Sequence, residues 1–173
     1  MIVFATAVLT ALFGTFVEYW GHRLMHQGRF LRRHHAKHHQ HGSGQGWLRE
    51  FRDYGGPVVP LVAVALWLHV PVGIGVAVGG LGFAAVAAWA HQLQHEHPRA
   101  VRWMPQPQHA VHHHHREWHH NFGITVDWWD RVFGTYRAHP PLEIGDADHS
   151  MFDIHWVQRS PALPRRQRRN RAA

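Results

Sequence analysis

The chain has no cysteine among its 173 residues, which excludes disulfides, thiolate metal sites and a cysteine nucleophile. Charge is scarce too: Asp, Glu, Lys and Arg make up only 17% of it. Nothing resembles the GxGxxG fingerprint of a nicotinamide or flavin site, and GSGQG at 42–46 follows histidines, not a strand. What is abundant is apolar surface, at 45% of residues, and histidine, with 21 copies. The length suits one domain. A net charge of +7 fits either nucleic acid or an anionic membrane surface, and the placement of the apolar residues decides for the membrane.

Those apolar residues gather in two places. Residues 1–17, MIVFATAVLTALFGTFV, carry no charged side chain, and Tyr19 and Trp20 beyond Glu18 suit a membrane interface. A secretory signal would begin with a positive charge and end in a polar segment, so a membrane span is the better reading. The second stretch, Pro57 to Ala90, has His69 as its one ionisable residue. A single helix of that length would reach ~50 Å, against a hydrocarbon core of ~30 Å. Pro71, Gly73 and Gly75 in HVPVGIG offer a place to turn, which leaves a kinked span and a hairpin both open.

The histidines are ordered. His22 and His26 stand four apart, and His35, His38 and His39 follow at i, i+3 and i+4, so each set shares a helical face. After the second apolar stretch the order recurs, with His91 and His95, then His109, His112 and His113. Ten imidazoles on four faces suffice for two metal ions with positions left over, more than one structural zinc can use. All-imidazole sites accept iron, copper or zinc. The tracts HHAKHHQH and HAVHHHH would yield an HxxHH match by chance, and a diffuse metal-buffering tract is the competing reading. HRLMH and HQLQH lie outside those tracts, and ordered repetition after an apolar segment is what chance explains poorly.

If both sets serve one site, they lie on one side of the membrane, and residues 57–90 cross it an even number of times. That favours a hairpin with crossings of ~16 residues, or ~24 Å each. Residues 21–56 hold seven Lys/Arg against two acids, which places the histidine boxes and the C-terminus in the cytoplasm.

EYWGHRLMH, HAKHH, HQLQH and HAVHH, followed by NFGITVDWWDRVFGT, resemble the membrane-bound fatty acid hydroxylase superfamily from about Phe13 to Tyr136. That group includes sterol desaturases, sterol C4-methyl oxidases, fatty acid 2-hydroxylases and, more distantly, carotenoid hydroxylases. The resemblance implies metal ligands at His22, His26, His35, His38, His39, His91, His95, His109, His112 and His113. His34, His114 and His115 are the neighbours to which a slip in register would lead, and His119 and His120 fall behind the ligands or on the surface. It also implies two iron ions (zinc as purified), O2 as co-substrate, a lipid substrate and no nucleic acid. With no cytochrome b5 domain visible, electrons come from a separate ferredoxin or cytochrome with its reductase. Many relatives have a further membrane helix before the first box, and fatty acid hydroxylases often have a five-residue step where this chain has HRLMH.

Among other residues, Glu18 lies one turn before His22, where it can accept an imidazole N–H or serve as an interfacial charge. Asp127 and Asp130 read as structural, Asn121 as a turn residue before Gly123, and Trp118, Trp128 and Trp129 as interface or lipid-portal aromatics. The expected fold is an all-α integral membrane helical bundle with a histidine-rich cytosolic cap holding a dimetal site. It comprises residues 1–157, with apolar segments at about 1–20, 57–70 and 72–90, and a basic, disordered tail at 158–173. The expected activity is O2-dependent lipid hydroxylation. Lipid desaturation, carotenoid hydroxylation, zinc-dependent lipid hydrolysis and non-catalytic metal binding are the alternatives.

Overall fold

A computed structural model describes residues 1–29, 31–143, 145–148, 150–151 and 157; the arginine-rich tail expected at 158–173 lies outside the described residues. Those described residues form helices and loops with no strand. Two long helices set the frame, α1 at Ile2–His26 and α5 at Val70–Glu96. Each is long and apolar enough to cross a membrane, and only 17% and 33% of their most apolar stretches are buried inside the protein. Phe4, Leu9 and Phe13 of α1 point outward, as suits a lipid-facing helix. The described residues form an all-α membrane bundle with the ten candidate histidines gathered at one end.

Glycine sets how closely the helices approach. Gly75 and Gly79 of α5 lie one turn apart, and a Cβ at Gly79 would overlap the carbonyl oxygen of Ala7 in α1. A Cβ at Gly73 would stand 2.5 Å from the backbone nitrogen of Leu66. Such small-residue contacts let backbones touch where lipid supplies no hydrophobic drive between helices. Thr6 lies against Gly75 and Gly14 against Phe83, so α1 and α5 run parallel and deliver their C-terminal histidines to the same end.

Between them the chain descends in two short helices, α3 at Trp47–Gly55 and α4 at Val58–Leu68, after α2 at Arg32–His41. Here the structure corrects the expectation of two equal crossings. α4 has 11 residues, about 16 Å of helix, whereas α5 has 27. The turn falls at His69, whose extended backbone (φ −163°) interrupts the helix, and Pro71 then opens the first turn of α5. The descent is shared with α3, whose Gly55 packs beside Ala84 and Leu81. A 3-10 turn at Pro98–Ala100, α6 at Gln108–His114 and α7 at Trp128–Val132 complete the histidine end.

Candidate metal centre

Four helices bring histidines together. His22 and His26 come from α1, His35, His38 and His39 from the inner face of α2, His91 and His95 from α5, and His109, His112 and His113 from α6. Arg32, Arg33 and Lys37 occupy the exposed face of α2. The rings fall into two groups. His22, His26, His35, His39 and His112 present nitrogens within 4.8 Å of one another, and so do His38, His91, His95 and His109. His113 sits beside both, its ring 4.0 Å from that of His39 and 4.6 Å from that of His38, with its Nε2 buried and unpartnered. His34, His114 and His115 are exposed outside both groups, and His34 turns to Asp53 at 4.0 Å.

The spacing inside the first group is not that of a hydrogen-bonded network. His26 Nε2 lies 2.8 Å from His35 Nε2, 3.1 Å from His39 Nε2 and 2.9 Å from His112 Nε2. His35 and His39 Nε2 are themselves 2.9 Å apart. An imidazole nitrogen offers one proton or one lone pair, so it cannot satisfy three such neighbours. Converging lone pairs are what a cation's coordination shell requires. With metal–nitrogen bonds of about 2.1 Å, nitrogens at right angles stand about 3.0 Å apart. In the second group His95 Nε2 is 3.2 Å from His38 Nε2 and 3.1 Å from His109 Nε2. The residues present therefore fit a metal ion at each group.

Electrostatics agree. Burial, then the neighbouring imidazole of His91, pushes His39 down to about 4, and burial with several neighbours takes His35 to about 2. His38, His109 and His112 are held well below the usual imidazole range by burial first and by adjacent rings second. Near neutral pH these rings are unprotonated, the form that binds metal.

Behind the rings lies a layer that orients them. His22 Nδ1 donates to the Phe122 carbonyl at 2.6 Å, and His112 Nδ1 to the His120 carbonyl at 2.9 Å, which leaves each Nε2 free to face the centre. Glu50 Oε1 stands 2.9 Å from His91 Nδ1, an electrostatic contact without the alignment of a hydrogen bond. Burial pushes the Glu50 carboxyl up, but the His91 ring and the hydrogen bonds it receives outweigh this and hold it low. Trp118 lies over the first group, its ring 5.5 Å from those of His26 and His39, while its outer face is exposed.

The NFGIT loop that carries Phe122 is itself clamped. Asp130 accepts the N–H of Phe122 at 2.9 Å and of Gly123 at 2.7 Å, and the Thr135 hydroxyl at 2.7 Å. Burial raises its carboxyl, against those hydrogen bonds. Asn121, in the left-handed region at φ 60°, accepts from Gln108 Nε2 and the Arg137 N–H, so its part is that of a turn. Glu18 departs from both roles weighed for it. Its Oε1 accepts the backbone N–H of Ile124 at 2.8 Å and of Thr125 at 3.0 Å, and it is buried rather than interfacial. Loop N–H groups with no ladder partner need an acceptor, and this carboxylate is the one beside them. Trp129 packs on Phe16 and donates to Thr15 Oγ1 at 2.9 Å, whereas Trp128 is exposed and Asp127 pairs with Arg131 at 2.8 Å.

Sequence reasoning missed Glu50, Gln92 and Gln94. Gln94 accepts the His109 N–H and donates to the Ile124 carbonyl, both at 2.7 Å, tying α5 to α6 and the loop. Gln92 accepts the Gly46 N–H at 3.0 Å and donates to Glu96. A signal existed for the glutamines, since HQLQH puts two amides at the end of an apolar run. None existed for Glu50.

No curated protein and no solved structure matches the chain. The profile of the fatty acid hydroxylase family matches residues 7–135 of the 173, which include all ten histidines, the Glu18 anchor and the Asp130 clamp. The chain belongs to the fatty acid hydroxylase family.

Proposed function

We propose that this membrane protein hydroxylates a lipid with dioxygen at a centre of two irons held by the ten histidines. The observation that supports this most is the convergence of three Nε2 atoms, those of His35, His39 and His112, on that of His26, a spacing that suits the coordination shell of a cation. Bound iron would supply dioxygen activation, for a net reaction in which C–H, O2, two electrons and two protons give C–OH and water.

The chain's own residues prepare that chemistry. The Phe122 and His120 carbonyls hold the Nδ1 protons of His22 and His112, which fixes the tautomer and aims each Nε2. Glu50 places negative charge behind His91 and strengthens that ring as a donor. Trp118 shields His26 and His39 from water on one side. The histidine end and the C-terminus face the cytoplasm in this reading, where a ferredoxin or cytochrome with its reductase delivers the electrons.

The test is turnover of iron-loaded protein in bilayers, with ferredoxin, its reductase and a lipid extract under 18O2. One labelled oxygen in a lipid alcohol is the expected product. Oxidised lipid without label, or equal yield in the absence of an electron donor, would overturn the proposal.

A further inference from the structure

On the outside of the bundle, α3 and the start of α4 meet α5 at a groove of about 420 Å³. Gly55 and Gly56 contribute no side chain to fill it, Val59 and Leu81 give it apolar walls, and Arg49 and Arg52 line it from α3. Arg52 and Asp53 are the last charged residues before the apolar stretch that begins at Pro57. The groove therefore spans the depth at which polar headgroups give way to hydrocarbon. Arg52 is partly neutralised by Asp53 at 3.0 Å. Arg49 is exposed, and among the described residues it has no acidic partner. Glu50 of the same helix is buried against His91, so α3 separates the groove from the metal centre.

A cation above an apolar slot at interface depth is complementary to an anionic amphiphile. We propose that this groove binds a bilayer phospholipid with an anionic headgroup, its phosphate at Arg49 and Arg52 and an acyl chain along Val59 and Leu81. This binding is independent of lipid oxidation at the metal centre, and it stands or falls without it.

Native mass spectrometry of the full chain in detergent tests this, with phosphatidylglycerol and phosphatidylcholine of identical acyl chains titrated in competition. Phosphatidylglycerol should be retained about five-fold more strongly per basic contact. Arg49→Gln should remove most of that preference and Arg49→Lys should keep it. Val59→Trp, which fills the slot, should weaken both lipids. Arg102→Gln, at an exposed arginine elsewhere, should leave the preference unchanged. Equal retention of the two lipids would overturn the proposal. So would an equal loss in R49Q and R102Q, or undiminished binding in V59W.

Discussion

The two halves of the histidine cluster are built differently. The five-ring group, His22, His26, His35, His39 and His112, is backed by neutral backbone carbonyls and roofed by the exposed ring of Trp118. The four-ring group, His38, His91, His95 and His109, has a buried carboxylate, Glu50, behind it. A carboxylate behind an imidazole raises its basicity more than a carbonyl does, so the four-ring group should hold its metal more tightly. The first group has more rings and depends on a loop; the second has fewer and leans on charge.

Removing a ring should have the largest effect. His26→Ala, at the point where three Nε2 atoms converge, should abolish turnover and lower bound metal, and His95→Ala should do the same from the other half. His69→Ala, in the α4–α5 turn, and His114→Ala, at an exposed ring, should leave metal content unchanged. Equal losses across both pairs, read by elemental analysis, would favour a diffuse histidine tract.

Next comes Glu50→Gln. Loss of such a partner weakens metal binding by about 10- to 100-fold, and the loss should fall on the four-ring group alone. Chelator competition should then show one metal leaving early and one leaving as in the wild type. Simultaneous loss of both would mean that the halves are not distinct.

Asp130→Asn strikes the other half through its loop. A buried acceptor of three hydrogen bonds is compromised, at a stability cost of about 1–3 kcal/mol, and the Phe122 carbonyl behind His22 loses its anchor. A lowered melting temperature with metal loss confined to the five-ring group is the expected result. The smallest effect belongs to Asp127→Ala, which breaks the exposed pair with Arg131 and should shift neither melting temperature nor metal content.

How much of this was legible depends on the range of the interaction. The ten histidines stood out because i, i+3 and i+4 spacing is local, and the two long helices stood out because apolar length is local. The choice of His112 and His113 over His114 and His115 is set by where α6 docks, which spacing alone does not fix. Glu18 could not be read, since its partner N–H groups lie 106 and 107 residues away. Glu50 was hidden for the same reason, sitting among charged neighbours on a short helix with its target on α5. The unequal descent through α3 and α4 was also unreadable, because glycine contacts with α5 and a single extended residue at His69 decide it.

Both groups of rings should bind metal at once, in one centre. Iron K-edge absorption with elemental analysis on the purified, iron-loaded protein tests this most directly. Close to two irons per chain, with first-layer nitrogen scattering at about 2.1 Å, is the predicted result. One iron or fewer per chain at saturating iron, or a content unchanged by losing His26 and His95 together, would contradict it.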